Sequence, residues 1–290
     1  RYAIVVAKST MERSGWKKIV QAFQRKRKPK IFAYEEGKIQ SIKRKLAAYK
    51  PRYVCFVAPP EELAKEALLE VRAQFGWRVK VPVCGVYYHE VSRLMTSLDK
   101  DPYDDALWAV LTGATPSDAM RIVKAKPLKV RRGLSHIGSG WLKWLESGIS
   151  FSETDKGRKW IKQPGKPPRE VLGPDDTTEE FVEALNSNRI DMISTSGHAT
   201  ELDWQMGYTY RSGQIVVSKT FGRLPQAARR NYEELKRKMK AKITQSKPLL
   251  FAVESKNKVF GITTKNPKIY YSPGNCRIAR VSGKDCMLLA

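Results

Sequence analysis

YAIVVA at residues 2–7, KIFAY at 30–34 and YVCFVA at 53–58 are three short apolar runs rich in β-branched and aromatic residues. The stretches between them, from Trp16 to Phe23 and from Ile39 to Ala48, carry apolar residues at helical spacing. Strand, helix, strand, helix, strand is the pattern of a parallel sheet with helical crossovers. Runs that are apolar at almost every position, rather than at alternate ones, belong to strands covered on both faces. Working outward, Leu63, Ala67, Leu68 and Val71 predict a helix over Glu61 to Phe75, followed by a strand through Val83 to Tyr87. LWAVL (107–111) predicts a further strand. Thr115, Pro116 and Asp118 then occupy the N-cap, first and third positions of a helix. These segments predict a first α/β subdomain over residues 1–123 and a second over 124–290.

In the second half, the basic linker KPLKVRR (126–132) leads to GISFSE (148–153), which reads as a strand. The Lys- and Pro-rich stretch up to Asp176 reads as a polar loop. Thr177 and Glu180 have the spacing of a capping box, at the head of a helix with Phe181, Val182 and Leu185 on one face. IDMISTSGHATELDW (190–204) reads as a buried strand ending in small residues, with His198 just beyond it. PKIYYSPGNC (267–276) repeats that layout and places Cys276 just beyond a strand. The carboxyl ends of strands in a parallel sheet lie along one edge, where ligands usually bind, so both side chains are expected in one crevice. Between them the sequence predicts a hairpin around YTYRSGQIVV, a basic surface helix from Ala227 to Ile243, and strands at LLFAVES and KVFGITT. The fold class is α/β, a mostly parallel sheet flanked by helices with a preceding βαβ subdomain.

Composition narrows the function classes. With 290 residues, 41% hydrophobic and 10% aromatic, the chain can bury a core, which excludes disordered and collagen-like readings. No apolar run approaches the roughly 18 to 20 residues that span a bilayer, so no membrane partner is expected. RYAIVVAKS reads as a buried strand rather than a signal sequence. A chain that starts without Met and stops at CMLLA, inside an apolar stretch, reads as trimmed at both ends. Cys55, Cys84, Cys276 and Cys286 are too few and too irregularly spaced for a disulfide framework, and free thiols are expected. Cys55 and Cys84 lie in apolar runs, as inert core thiols do; Cys276 lies among turn residues. The net charge of +25 favours polyanions, and nonspecific nucleic-acid affinity at low salt is expected. The charge is spread over RKRKPK (25–30), KPLKVRR, Lys156 to Arg169 and KRKMKAK (236–242), without a zinc-finger or RRM pattern.

Chemistry concentrates at His198 and Cys276. A cysteine attacks a carbonyl carbon as thiolate, and a histidine within hydrogen-bond reach can take its proton. Taken singly, His198 reads as a structural histidine and Cys276 as an inert thiol; paired at equivalent strand ends they read as base and nucleophile. Small residues precede both, Ser196 and Gly197 before one and Pro273 and Gly274 before the other, and permit tight turns and close approach by a substrate backbone. Gly197, Trp204 and Asn275 are candidates for substrate contact, with a core tryptophan as the other reading of Trp204. Glu201, Asp203 and Glu153 are candidates for an acid that orients the histidine, or are structural. His89 and His136 have no paired nucleophile and read as structural. No three-ligand metal cluster and no phosphate loop is evident, so no cofactor is expected.

GHATELDW, following an apolar strand, resembles the histidine block of gingipain-type peptidases. KIYYSPGNCRIARVSGKDCMLLA resembles their cysteine block, with Cys286 at the second, non-nucleophilic position. DDALWAVLTGATPSDAMRIV resembles the strand, glycine and capped helix that close the first subdomain there. The resemblance covers nearly the whole chain. It implies a caspase-hemoglobinase fold and a Cys276/His198 dyad that cuts peptide bonds in protein or peptide substrates, with the amides of Ala199 and Cys276 as oxyanion donors. Two other readings stand beside it: a caspase-like scaffold without activity, and a basic nucleic-acid-binding protein in which the two residues are incidental. Free thiols point to a reducing cytoplasm and the resemblance to secretion, which leaves the compartment open.

Overall fold

The computed structural model describes residues 1–65, 67–72, 78–83, 85–200, 202–207, 212–217, 226–238, 250–263 and 269–275. They form two compact units, Arg1–Ala125 and one that begins at Lys126.

The first unit runs β1 (Tyr2–Ala7), α1 (Lys8–Glu12), α2 (Ser14–Arg27), β2 (Lys30–Tyr34), a 3-10 turn at Ile39–Ile42, α3 (Lys43–Tyr49) and β3 (Tyr53–Val57). It continues with α4 (Pro60–Leu63), β4 (Ala67–Arg72), β5 (Arg78–Val83), α5 (Val86–Met95), β6 (Leu107–Leu111) and α6 (Pro116–Lys124). The main sheet has the order β2-β1-β3-β6, parallel throughout. The chain steps one way from β1 to β2 and the other way from β2 to β3, so right-handed crossovers place α2 and α3 on opposite faces. Both faces of β1 are therefore covered, which is why Ala3 to Ala7 are all buried. On one face Trp16, Ile19 and Val20 of α2 and Ala119 and Val123 of α6 meet Ile4, Val6, Cys55 and Val57. Each buried Val or Ile among them contributes about 1.5 to 3 kcal/mol by leaving water.

The capped helix forms as the sequence requires: the Asp118 carboxylate accepts from the Thr115 N–H at 3.1 Å and from its hydroxyl at 2.8 Å. Two expectations need correction. The helix over Glu61 to Phe75 stops at Leu63, and β4 and β5 form an antiparallel hairpin instead. Its register sets Ala67 opposite Val83, Leu69 opposite Val81, Val71 opposite Val79 and Glu70 opposite Lys80. The strict alternation of RVKVPV supplies a partner that outweighs a helix lacking one. The strand through Val83 to Tyr87 ends at Val83, because Gly85 turns the chain at φ +75 into α5, whose Tyr87, Val91, Leu94 and Met95 are buried at helical spacing.

The second unit runs β7 (Arg132–His136), β8 (Ser147–Phe151), β9 (Arg158–Lys162), β10 (Arg169–Leu172), α7 (Thr178–Asn186) and β11 (Met192–Gly197). It continues with β12 (Asp203–Gln205), β13 (Gly213–Val217), α8 (Gln226–Lys238), β14 (Leu250–Glu254), β15 (Val259–Gly261) and β16 (Ile269–Asn275). Its larger sheet has the order β10-β9-β8-β7-β11-β16, with β8, β7, β11 and β16 parallel and β9 and β10 added antiparallel at the edge. The stretch to Asp176, expected as a polar loop, thus holds two strands. Their Lys and Arg residues suit an edge that must not pair further. A second, antiparallel sheet, β12-β13-β14-β15, is inserted between β11 and β16. Phe181, Val182 and Leu185 of α7 share one core with Leu134, Phe151 and Ile193 of the first sheet and Met206, Ile215, Val217 and Ala252 of the second sheet's chain.

The capping box at Thr177 and Glu180 is a third correction. Thr177 does not cap α7; the Asp176 carboxylate accepts from the Thr178 N–H at 3.0 Å and hydroxyl at 2.6 Å, while Glu180 pairs with Lys159 at 2.6 Å. The Thr177 hydroxyl is used inside the core, at 2.6 Å from His136 Nε2 and 3.0 Å from Ser212 Oγ.

One buried carboxylate ties the strand starts together. Asp191 accepts from the Arg131 and Arg132 N–H groups and from the Arg132 guanidinium, while its own N–H and C=O bond Arg132 O and Ile269 N. The Arg132 hydrogen bonds hold its carboxyl below the usual carboxylate range. Asp191→Asn is expected to cost about 2 kcal/mol, since an amide cannot accept on both sides and leaves donors unpaired. The urea midpoints of the two proteins measure it.

Candidate functional site

β11 and β16 are adjacent and parallel, with Met192 opposite Ile269 at one end and Gly197 opposite Asn275 at the other. The register shifts between Ser194 and Ser196, and such a bulge re-aims the last residues of a strand. Both strands end at the carboxyl edge of the sheet; His198 follows Gly197, and Cys276 is the residue after Asn275 in sequence. Cys276 itself, with Cys84, Cys286 and Glu201, lies outside the described residues. The His198 side chain is exposed.

Side chains fasten this strand pair. The Thr195 hydroxyl and Tyr270 OH are 2.7 Å apart, and the Tyr270 ring stacks on Trp204 at 4.6 Å and 7°. Trp204 is 6% exposed and packs within the core of the second unit. The space beside Gly197 is also filled by the chain's own backbone: a Cβ there would lie 2.8 Å from Gln205 O and 2.9 Å from Gly207 O. On that side of Gly197 the close approach is made by Gln205 of β12 and by Gly207. Asn275 ends β16, at the register position opposite Gly197.

The candidate acids separate. Glu153, just past the carboxyl end of β8, accepts a short hydrogen bond from the Ser196 hydroxyl, two residues before His198. It therefore braces the end of β11. Asp203 closes the turn after His198, its backbone oxygen accepting from the Thr200 N–H at 2.9 Å and its carboxylate from the Thr200 hydroxyl at 3.0 Å.

That turn leaves an amide over. Ala199 and Trp204 face each other in an antiparallel bridge whose two hydrogen bonds are Thr200 N to Asp203 O and Gln205 N to His198 O, the latter at 2.8 Å. In such a pair the Ala199 N–H is not used, and among the described residues it donates to nothing. An uncommitted N–H beside an exposed imidazole is a donor for negative charge developing nearby.

The remaining histidines are structural in position. His136 ends β7, fully buried against Phe151 at 5.4 Å, and burial pushes its pKa down to about 4. His89 is exposed on α5. Among the described residues no group of three or more His, Cys, Asp or Glu could hold a metal ion, and no helix is long and apolar enough to cross a membrane. The hydroxyl contact of Thr195 with Tyr270 and that of Ser196 with Glu153 escaped the sequence reading, because they depend on which strands pair and nothing local marks them.

A comparison with protein-family models finds none that matches the chain, and a comparison with curated proteins finds no match. Among solved structures the chain is similar to the complex of Porphyromonas gingivalis RgpB pro- and mature domains, at 12% identity and a TM-score of 0.39. The match covers 72% of this chain and 50% of that one, so the chain spans half the length of the structure it matches. A likeness this distant transfers no chemistry, and what the site can do follows from the α/β sheet of this chain and the residues at its carboxyl edge.

Proposed function

We propose that the chain carries a cysteine-type endopeptidase site of caspase and gingipain type, with Cys276 as nucleophile and His198 as general base. The observation that supports this reading is the parallel pairing of β11 with β16 up to Gly197 and Asn275, the residues that immediately precede His198 and Cys276 in sequence.

In the reaction, the Cys276 thiol gives its proton to His198 and the thiolate attacks the scissile carbonyl carbon, forming the C–S bond. The negative oxygen of the tetrahedral intermediate takes hydrogen bonds from the Ala199 and Cys276 amides, each contributing about 3 kcal/mol as such donors typically do. The C–N bond breaks as His198 returns the proton to the leaving amine. Water, deprotonated by the same imidazole, then attacks the thioester and releases the acid product and the thiol. No cofactor enters. Glu153 acts through Ser196 as a positioning residue for the strand that presents His198.

The test is mass-spectrometric mapping of alkylation by iodoacetamide at limiting dose, on the chain, on His198→Ala and on Cys276→Ala. At about pH 6 an ordinary thiol is almost wholly protonated, so the dyad should make Cys276 react at least about tenfold faster than Cys286, and His198→Ala should remove the difference. Cys55 is the internal control, since burial pushes its thiol up to about 12 and it should stay unlabelled. Cleavage of a peptide library, lost in both variants, completes the assignment. Equal labelling of Cys276 and Cys286, or indifference to His198, overturns the peptidase reading and leaves a scaffold of the same fold.

A further inference from the structure

The two edges of the parallel sheet in the first unit differ in charge balance. At the carboxyl edge three cations are paired, Lys8 with Glu35 at 2.5 Å, Lys65 with Glu36, and Arg13 with Glu61 at 3.4 Å, and Lys38 alone stands beside Glu35 without an ion pair among the described residues. The amino edge gathers the ends of α2 and α3 and the starts of β1, β2 and β3. Here Arg25, Arg27, Lys30, Lys50 and Arg52 are exposed, and among the described residues none of them makes an ion pair. The acids of the loop before β6, Asp99, Asp101, Asp104 and Asp105, accept from the Asp101 N–H, the Tyr103 N–H, Trp108 Nε1 and the Leu98 N–H in turn. Cations in the last turn of α2 complement the helix dipole, which accounts for Arg25 and Arg27 but not for Lys30 and Arg52 at strand starts.

Aromatic rings lie among these cations. Tyr2 and Tyr53 stack at 5.5 Å and 22°, and Tyr53 is 36% exposed. The Arg52 guanidinium lies 5.5 Å from the Tyr53 ring, Arg1 lies 5.8 Å from Tyr49, and Lys30 lies 5.1 Å from Tyr49. Arg1 and Arg52 are side by side, since the Arg52 and Tyr53 N–H groups both reach Arg1 O, at 3.0 and 3.3 Å. In the order β2-β1-β3, Lys30, Arg1 and Arg52 stand at three consecutive strand starts. With strands about 4.8 Å apart the row spans roughly 10 Å.

We infer that this amino edge is a binding face for single-stranded nucleic acid, held through its phosphates by Arg27, Lys30 and Arg52 and by base stacking on Tyr53, with little sequence preference. Spreading of charge alone would give a polyanion affinity distributed over the whole surface. The clustering of uncompensated cations around an exposed ring instead fits a backbone-tracking, base-stacking ligand. The face is built within the first unit and does not depend on the peptidase assignment.

Fluorescence anisotropy of a labelled single-stranded DNA of roughly 20 nucleotides, titrated with the full chain at several salt concentrations, tests this. Arg27→Gln/Lys30→Gln/Arg52→Gln should weaken binding at least about tenfold at about 50 mM salt and reduce the slope of log affinity against log salt by about 2, at about 0.7 per lost phosphate contact. Tyr53→Ala should weaken binding about fivefold or more without changing the slope, as loss of stacking does. A control with three exposed cations of the second unit neutralised, Lys156→Gln/Lys166→Gln/Arg169→Gln, should bind like the wild type, and circular dichroism checks that each variant is folded. No binding by the wild type, or equal losses in the triple variant and the control, overturns the proposal. Preferential binding of heparin with no effect of Tyr53→Ala also overturns it, replacing nucleic acid by a sulfated polysaccharide.

Discussion

Gly197→Ala is expected to destabilise the second unit by about 2 to 5 kcal/mol, combining backbone strain of about 1 to 3 kcal/mol with an overlap that costs about as much. Gly197 has φ +141, a conformation that only glycine adopts readily. The added methyl would meet two carbonyl oxygens, Gln205 O at 2.8 Å and Gly207 O at 2.9 Å. Backbone atoms of a paired segment cannot rotate aside as a side chain does. Something must shift, and the flanking groups are the end of β11 with His198 on one side and the Ala199–Trp204 bridge on the other. Gly138→Ala separates the two causes, since Gly138 also has positive φ, +79, but has open space where its Cβ would go. It should cost only about 1 kcal/mol, the left-handed penalty alone. Thermal melts of both variants read the difference, at roughly 2 to 4 °C per kcal/mol. The same Gly197→Ala protein should lose the enhanced alkylation of Cys276. A Gly197→Ala protein as stable as Gly138→Ala would show that the β12 segment does not hold the histidine turn.

The parallel sheet of the first unit was legible because its strands are apolar at almost every position. β1, β2, β3 and β6 read out within a residue of their ends, as did the capped start of α6, while of the six strands in the sheet that carries His198 only β8, β11 and β16 were anticipated. The misreadings share a physical cause, namely tertiary partners that the pattern within the segment itself does not reveal. Ala67 to Val71 carries a spacing that suits a helix, and only the alternating RVKVPV opposite makes it a strand. β7 was overlooked because RGLSH has few apolar residues. Its Gly133 is there because a Cβ would lie 2.2 Å from Trp141 and 2.4 Å from Leu145. Thr177 has the right neighbour for a capping box, yet its hydroxyl faces a buried histidine that no local pattern reveals. At the site, the sequence pointed to the pairing of two strand ends, while the brace from Glu153 to Ser196 and the Thr195–Tyr270 contact required the register.

His136 should make the second unit acid-labile over a window distinct from that of its carboxylates. Its ring is fully buried, stacked on Phe151, 6.4 Å from Phe181, and in contact with the Thr177 hydroxyl, which in turn meets Ser212. Burial lowers its pKa to about 4, against the favourable but smaller pull of Asp176. A histidine depressed in the folded state is protonated more readily in the unfolded chain, near its ordinary value of about 6.5. The unfolded state therefore binds more protons between about pH 6.5 and 4, so stability is full above pH 6.5 and falls as the pH drops through that interval. The loss approaches about 1.4 kcal/mol per pH unit and totals roughly 3 kcal/mol by pH 4, where it levels off. Asp191, held below the usual carboxylate range, contributes its own loss only at lower pH, while Glu62 of the first unit, whose carboxyl burial raises, works in the opposite sense. His136→Phe isolates the effect, because a phenyl ring keeps the aromatic stack while Thr177 retains Ser212 as a partner. Urea unfolding from pH 7 to 4 should show the pH slope of the wild type exceeding that of His136→Phe by close to one proton. Equal slopes would mean that the imidazole takes up its proton without leaving the core, as a ring reached by water or by the Asp176 carboxylate could.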